Sequence, residues 1–362
     1  MTTNSGIGPG GPARADAPGS RISGADRPYV SVLVPMLNER GYIEGCLASL
    51  LAQDYPPERY EILVVDGLST DGSRDVVAAR CGGLPAVRLL DNPRRIPASA
   101  LNVGVGAALG EVVMRLDAHS YAAEDFITSN VQALRRSGAA GVGGPIQSIA
   151  RGYIGHGISV AMSSPFGVGG ARFRYAKTEQ WVDTVAFGAY PRHIMATAGP
   201  FDEDLMYCED NEFNDRIRRQ GGRILLTPSV RSWYYTRESL RGLWTQYYRY
   251  GRGRARLLLR FPDTLRWRHL APLALVAGLL AGCALLPLDP LLLAVPASAY
   301  AAAVLLASLV TAWRRGWKYL SILPVAYACM HFSYGVGTLW GFITAPLRPR
   351  RGSSPTRGAF LG

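Results

Sequence analysis

Residues 61–72 read EILVVDGLSTDG, an apolar run that ends in the carboxylate of Asp66 and a turn rich in glycine and serine. Residues 112–119, VVMRLDAH, repeat the pattern and end in Asp117 and His119. Short, continuous apolar runs of this kind are typical of strands buried inside a parallel sheet. The carboxylates would then lie at the carboxyl edge of the sheet, where open α/β sheets bind ligands. That edge suits a nucleotide diphosphate, a divalent metal and a base.

The first 235 residues alternate between strand and helix patterns. Strands are expected at residues 29–35, 61–65, 87–90 and 111–116, and helices at 39–53, 73–80 and 97–109. This alternation predicts a mostly parallel sheet with right-handed crossovers. The predicted fold class of residues 28–235 is therefore α/β and Rossmann-like. Residues 141–190, where we expect the pocket that selects the substrate, show no pattern that we can assign.

The chain is strongly basic, with a formal charge of +12 and an isoelectric point of about 9.7. Charge alone is compatible with nucleic acid, anionic lipid or a phosphate-bearing substrate. However, the basic residues crowd into residues 249–268, 314–318 and 348–351, beside long apolar stretches. Basic residues that flank apolar blocks are typical of membrane topology. The pattern therefore favours a membrane partner and argues against nucleic acid.

The rest of the chain divides by composition. The composition of residues 1–27 predicts a disordered tail, and that of residues 348–362 predicts a basic tail. Between the α/β region and the basic tail, we expect a basic amphipathic interfacial segment at residues 236–268 and a membrane region of two to three hydrophobic segments at residues 269–347. Blocks 270–288 and 291–313 have spanning length, whereas block 319–347 is interrupted by Pro324 and either spans or re-enters the membrane. The basic loops place the catalytic domain on the cytoplasmic side, so we expect a multi-pass protein of the inner (plasma) membrane.

Two polar turns follow the first two predicted strands. Pro35, Asn38 and Glu39 end the first strand, and their polar groups can meet a ligand, although Asn38 can equally be a helix N-cap. Asp66 can accept hydrogen bonds from a nucleobase and a ribose. The alternative is an Asx-turn in which the carboxylate anchors its own loop.

Asp117 and His119 form the sharpest pattern. Two ligating side chains one residue apart at a strand end can turn toward one divalent cation, which would neutralise the charge of a leaving diphosphate. An aspartate with a histidine favours Mn²⁺ over Mg²⁺. The alternative is a salt-bridged aspartate beside a surface histidine.

Two further groups lie C-terminal to these. Glu209 and Asp210 open a helical pattern, either as helix-dipole partners or with one carboxylate as a general base toward a sugar hydroxyl. Gln246, Arg249 and Tyr250 follow, and they suit either an amphipathic interfacial helix or contacts to a diphosphate or an acceptor.

Taken together, residues 30–39, 66–73, 97–110 and 199–203, followed by Glu209-Asp210, resemble the family 2 glycosyltransferases of the GT-A fold. The similarity is strongest to the succinoglycan-type (ExoA-like) membrane-associated glucosyltransferases, because of Asp117-Ala118-His119 and a Tyr-Gly-Arg segment at residue 250. The resemblance implies nucleotide contacts from Pro35, Asn38, Glu39, Asp66, Arg95, Asn102 and Asp117. It also implies a metal, Mn²⁺ or Mg²⁺, on Asp117 and His119, and a base at Asp210 beside Glu209.

By the same resemblance, the activity is an inverting transfer of one sugar from a UDP-sugar to a polyprenyl-linked glycan in polysaccharide biosynthesis. Gln246-x-x-Arg249-Tyr250 is similar to the Gln-x-x-Arg-Trp motif of processive synthases. Three apolar blocks are few for a polymer channel, so we favour single transfer. The alternatives are a processive polysaccharide synthase and a non-catalytic, membrane-tethered protein that binds sugar nucleotides.

Overall fold

The computed structural model describes residues 27–205 and 207–344. The predicted tails at residues 1–27 and 348–362 therefore lie, except for Arg27, outside the described residues. Within the described part, an α/β unit is followed by four long helices.

An eight-stranded sheet forms the centre of the α/β unit. Its strands are β1 (Val30–Met36), β2 (Tyr60–Asp66), β3 (Val87–Asp91), β4 (Val112–Arg115), β6 (Gly141–Gly143), β8 (Gln180–Val182), β9 (Ala189–Pro191) and β10 (Ile224–Leu226). They lie in the order β3-β2-β1-β4-β9-β6-β10-β8. The first four strands pair in parallel, whereas β9 runs antiparallel to both neighbours and β8 runs antiparallel to β10. The predicted strands and the mostly parallel sheet are confirmed.

Three further strands form a second, smaller sheet next to the ligand edge. They are β5 (Ser120–Ala122), β7 (Ile146–Ile149) and β11 (Ser232–Tyr235), with β11 in the middle. Since β5 begins directly after His119, this sheet carries Tyr234 to the end of β4.

Helices cover both faces of the main sheet. The helices of the α/β unit are α1 (Ile43–Leu51), α2 (Ser73–Cys81), α3 (Pro97–Ala107), α4 (Phe126–Ser137), α5 (Gly152–Met162), α6 (Pro165–Val168), α7 (Arg192–Ala198) and α8 (Glu209–Arg219). Side chains alternate along a strand, so Val32 and Val34 pack with Leu47 of α1 in one buried cluster, whereas Leu33 packs with Leu101 of α3 in another. The double apolar coverage explains why the strands read as continuous apolar runs.

The C-terminal part consists of α9 (Leu240–Arg260), α10 (Trp267–Ala284), α11 (Leu291–Arg315) and α12 (Leu323–Thr344). α9 packs along α12, and a buried cluster that includes Leu243 and Tyr327 joins them to α5. Pro324 does not interrupt a helix as expected from the sequence. It is the second residue of α12, a position that tolerates proline because the N–H there has no partner inside the helix.

The prediction of two to three membrane spans, and with it a multi-pass topology, is not supported. Within residues 27–344, only α11 is long and apolar enough to cross a bilayer, judged by length and composition. The apolar part of α10, His269–Ala284, reaches about 24 Å, which is short of a hydrocarbon core of about 30 Å. α12 has the length but is not apolar enough, and it packs along α9.

Candidate active site

The turns after β1 and β2 hold each other in place. Asp66 is fully buried. Its carboxylate accepts hydrogen bonds from the N–H and the hydroxyl of Ser69, and it forms an ion pair with Arg74 at 2.8 Å. The structure therefore contains the Asx-turn that we gave as the alternative, in which Asp66 anchors its own loop. A contact between Asp66 and a nucleobase stays a prediction.

Asn38 is not a helix cap, because α1 begins at Ile43 with Tyr42 as its preceding residue. Its backbone is left-handed, its N–H donates to the Ser69 hydroxyl at 2.8 Å, and its side-chain oxygen accepts from the Thr70 N–H at 2.9 Å. The register of the sheet puts Pro35 beside Val65. This turn therefore ties the end of β1 to the loop after β2.

His119 is held by a carboxylate from the opposite turn. Its Nδ1 lies 3.0 Å from Oε1 of Glu39, and its ring packs against Tyr234 with centroids 4.9 Å apart. A histidine that donates its Nδ1 proton to a carboxylate keeps Nε2 free as an acceptor, which is the usual arrangement of metal-binding histidines. Of the alternative, the surface histidine is wrong, because the His119 side chain is only 18% exposed, whereas the salt-bridged aspartate is present, because Asp117 pairs with Arg115 at 2.7 Å.

Arg115, the last residue of β4, is a functional residue that the sequence analysis missed. Its Nε donates to Oδ1 of Asp117 at 2.7 Å, and its Nη1 donates to Oε1 of Glu209 at 2.9 Å. The side chain is only 16% exposed. One buried guanidinium therefore joins the predicted metal aspartate to the predicted catalytic helix.

The pKa values of these carboxyls are displaced in opposite directions. Burial would raise the pKa of Asp117, but Arg115, His119 and Arg174 outweigh burial and hold it below its ordinary value. The pKa of Glu209 is raised, mainly by burial, and the attraction of Arg115 offsets only part of that effect. Asp117 is therefore kept as an anion, while ionisation of Glu209 is disfavoured.

Asp210 lies in the first turn of α8, next to Glu209, and it is partly exposed to the cavity described below. Its Oδ1 accepts from the N–H of Asn211 at 2.8 Å and from the Asn211 side chain at 2.9 Å. The preceding residue, Cys208, has a left-handed backbone that turns the chain into the helix. This geometry leaves the second oxygen of Asp210 available to a substrate hydroxyl.

Asn102 and Arg95 lie apart from that carboxylate group. The Asn102 amide donates to the Phe201 carbonyl and to Glu203 and accepts from the Phe201 N–H, at 2.8 to 2.9 Å. It therefore fastens α3 to the segment before α8. Arg95 is exposed and its Cα lies beside Gly67. Nucleotide contacts by both residues stay predictions.

Gln246 occupies the buried side of α9. Its amide nitrogen donates to the hydroxyls of Tyr234, at 3.0 Å, and Tyr250, at 2.9 Å, and its amide oxygen is buried without a protein partner. Arg249 is exposed. The Gln246 network thus reaches from α9 to the ring that supports His119.

One cavity of about 1670 Å³ joins these groups. It is lined by Asp117, His119, Glu209, Asp210, Gln246, Arg249 and Tyr250 among the predicted residues. The other predicted residues, Pro35, Asn38, Glu39, Asp66, Arg95 and Asn102, lie outside this lining, and Glu39 connects to it through His119. Ligand pockets typically occupy about 300 to 1,000 Å³, so the cavity has room for two substrates.

The cavity wall is basic. Among the described residues, it contains nine arginines, Arg115, Arg172, Arg174, Arg218, Arg237, Arg241, Arg249, Arg254 and Arg266, and five carboxylates, Asp117, Asp183, Glu209, Asp210 and Asp215. Part of the wall, the apolar end, includes Pro272 and Leu275 of α10. The cavity therefore suits a substrate with both phosphate and hydrocarbon.

Asp117 and His119 fit a divalent metal that is shared with a substrate. Among the described residues no three histidine, cysteine or acidic side chains are grouped as metal ligands. Mg²⁺ and similar ions are commonly held by one or two protein groups together with substrate phosphates. Oδ2 of Asp117 and Nε2 of His119 are the atoms not engaged by Arg115 and Glu39.

The residues that the sequence analysis missed share one feature. Arg115, Arg174 and Tyr234 come from segments distant in sequence, and all three line the same cavity. Tyr234 supports His119 and also packs 5.1 Å beneath the Arg174 guanidinium. The signal for Arg115 was present, because an arginine two residues before Asp117 in a buried strand requires an anionic partner.

Comparison of the sequence with known proteins identifies its family. A family model described as glycosyl transferase family 2 matches residues 31–190. A dolichyl N-acetyl-alpha-D-glucosaminyl phosphate 3-beta-D-2,3-diacetamido-2,3-dideoxy-beta-D-glucuronosyltransferase of Methanococcus voltae is 32% identical over 247 residues, which are 66% of this chain and 77% of the relative. The succinoglycan biosynthesis protein ExoA of Rhizobium meliloti is 31% identical over 309 residues, 84% of this chain and 92% of the relative.

Among solved structures, the mannosyltransferase PcManGT of Pyrobaculum calidifontis, in complex with GDP-Man and Mn²⁺, superposes with a TM-score of 0.58. It is 24% identical, and the match covers 87% of this chain and 88% of that protein. This likeness confirms the predicted GT-A-like α/β fold. With two relatives above 30% identity over most of their length, the chain belongs to glycosyltransferase family 2 and is a glycosyltransferase of polysaccharide or glycolipid biosynthesis.

Proposed function

We propose that this glycosyltransferase is metal-dependent and inverting, and that it moves one sugar from a UDP-sugar to a polyprenyl-linked glycan at the cytoplasmic face of the membrane. The observation that carries the proposal is the single cavity that runs from Asp117, His119 and Asp210 to the apolar wall of α10. A soluble acceptor would not need that apolar end.

The carboxylate end supports a single displacement. The acceptor hydroxyl attacks the anomeric carbon as the bond to the diphosphate oxygen breaks, its proton passes to Asp210, and UDP leaves. Because one displacement inverts the anomeric centre, a UDP-α-sugar yields a β-linkage. A divalent metal held by Asp117 and His119 would stabilise the charge that develops on the diphosphate.

The protein residues prepare this step. Arg115 keeps Asp117 ionised and positions Glu209 next to the base. Glu39 orients the ring of His119. Asn211 fixes Asp210 through two hydrogen bonds to one oxygen. Preorganised charge of this kind lowers the barrier without reorganisation during the reaction.

The helical part supports a lipid acceptor. The outer face of α11 exposes large apolar side chains such as Leu292, Leu305 and Leu306, and an exposed apolar face of this kind is typical of lipid contact. α9, with its arginines, lines the cavity together with residues of α10 to α12. The name of the Methanococcus voltae relative also includes a dolichyl-phosphate-linked acceptor.

The donor and the metal are tested together. Detergent-purified protein is given a panel of UDP-sugars with Mn²⁺, Mg²⁺ or a chelator, with and without a membrane lipid extract. We expect UDP release from one sugar nucleotide, which requires metal and is stimulated by the lipid. Equal transfer to a soluble sugar without lipid would contradict the lipid acceptor, and products longer than one added sugar would indicate the processive alternative.

A further inference from the structure

Arg174 is a partly buried cation in the cavity wall. In the described part of the chain it forms no direct ion pair, and its one side-chain hydrogen bond is a long one, 3.5 Å to the Ser148 hydroxyl. By contrast, its neighbour Arg172 is exposed and donates to the side chain of Gln180. A partly buried guanidinium is stabilised when an anion pairs with it directly, so the position of Arg174 suits an anionic ligand.

Aromatic side chains hold the Arg174 guanidinium in place. It lies over the ring of Tyr234 at 5.1 Å and near that of Phe173 at 5.7 Å. The Tyr234 ring in turn contacts His119 at 4.9 Å. Stacking on an aromatic face orients a guanidinium and leaves its edge N–H groups free to donate. Arg174 is thus fixed beside the predicted metal ligands.

The charge of Arg174 also acts on that part of the cavity. Together with Arg115 and His119, it lowers the pKa of Asp117. Arg115 already donates from Nε to Asp117 and from Nη1 to Glu209. Arg174 is therefore a second cation near the metal ligands, and it makes no such ion pair in the described structure.

We propose that Arg174 binds a phosphoryl group of a substrate in this cavity. The planar guanidinium offers two parallel N–H donors that match two oxygens of one phosphate. The assignment rests on the proposed function for the identity of that substrate. Its place beside Asp117 and His119 favours the diphosphate of the nucleotide donor, and the phosphate of a lipid-linked acceptor has the same chemistry.

The test is ligand binding by the full chain in detergent, measured by calorimetry without metal. UDP, uridine and a short polyprenyl monophosphate are titrated into the wild type, Arg174→Gln and Arg174→Lys. Arg136→Gln is the matched control, because Arg136 is exposed, pairs with Glu179 and lies outside the cavity wall. We expect Arg174→Gln to weaken UDP binding about 10- to 100-fold and leave uridine binding unchanged, with Arg174→Lys in between.

The outcomes separate the ligands. A loss of affinity for the polyprenyl monophosphate alone would assign Arg174 to the acceptor phosphate. Unchanged affinity for both phosphates in a variant that keeps the wild-type melting temperature would overturn the inference and leave the proposed function intact. If Arg174→Gln does not fold, Arg174→Lys decides in its place. If the wild type binds neither phosphate ligand without metal, the titrations are repeated with Mn²⁺, which the proposed function requires. Absence of binding in both conditions would refute the inference and the proposed function together.

Discussion

Arg115 is the residue on which the geometry of the active site depends most. It is the one contact in the described structure that joins Asp117 at the end of β4 directly to Glu209 at the start of α8. The sequence predicted both carboxylates, because each follows a recognisable pattern. It could not predict their link, because residues 115 and 209 are brought together only by the long excursion of the chain between β4 and α8.

We predict that Arg115→Met destabilises the protein by about 3 to 5 kcal/mol, since it leaves two buried carboxylates without their counter-ion. Transfer should fall about 100-fold, because small displacements of reacting groups are costly. Chemical denaturation and initial rates measure the two effects.

The control for Arg115→Met is Arg136→Met, which breaks an exposed ion pair to Glu179 and should cost at most about 1 kcal/mol. Adding Glu209→Gln to Arg115→Met should restore part of the lost stability. Equal losses in Arg115→Met and Arg136→Met would show that the buried network is unimportant.

The raised pKa of Glu209 predicts that the stability of the protein depends on pH. Its pKa in the folded protein is raised above the ordinary glutamate value of 4.5, chiefly by burial. The folded state therefore retains a proton that the unfolded state has lost, so the contribution of Glu209 to stability is fully present below pH 4.5 and is lost as the pH rises through the folded pKa. Glu209→Gln should lack this fall when unfolding is followed from about pH 4 to about pH 7. The same slope in both proteins would contradict the assignment.

At the level of elements, the sequence predicted the strands β1 to β4 and the helices α2 and α3 to within one or two residues, whereas α1 begins four residues later than expected. Their apolar runs and glycine-containing turns are local signals. The segment 141–190 gave no such signal, because its strands β6 to β9 have only three or four residues. Such short strands are specified by pairing with β4, β10 and β11, which are distant in sequence.

The contact between α9 and α12 depends on glycine. A Cβ atom at Gly337 of α12 would overlap the Tyr248 carbonyl oxygen of α9, and one at Gly251 would overlap the Tyr334 carbonyl oxygen. The sequence analysis assigned residues 319–347 to the membrane because they are apolar. It did not indicate that the glycines serve close packing against α9.

We predict that Gly337→Ala destabilises the protein by about 1 to 3 kcal/mol, because the helices must separate. The same shift would move Gln246 and reduce transfer. Gly278→Ala on α10 is the matched control, since its added methyl group meets nothing within 4 Å. The control should be neutral or slightly stabilising, as alanine favours a helix. Melting temperatures in detergent compare the two, and a stable Gly337→Ala variant would contradict the packing.

At the scale of the whole molecule, the cavity links two chemically different regions. Its carboxylate end is built by the α/β unit, and its apolar end by α10 to α12. The sequence predicted both regions and their order. That α9 and the residue 165–175 segment enclose one space between them became evident only in three dimensions.

We predict that Leu275→Trp, which fills the apolar end of the cavity, lowers transfer to a lipid-linked acceptor about tenfold and leaves UDP binding unchanged. Leu280→Trp is the matched control, because Leu280 belongs to the same helix, is 56% exposed and lies outside the cavity wall. Rates measured at several acceptor concentrations should show the loss as a higher KM. Equal rates for the two variants would exclude this end of the cavity as the acceptor site.

The most direct test of the account compares Asp210→Asn with the wild type in single-turnover transfer, with UDP binding measured in parallel. The substituted amide would keep the shape of the side chain but could not take up the acceptor proton. We predict unchanged UDP affinity and transfer slower by a factor of about 100 or more. Wild-type transfer by Asp210→Asn would contradict the assignment of Asp210 as the base and, with it, the proposed mechanism.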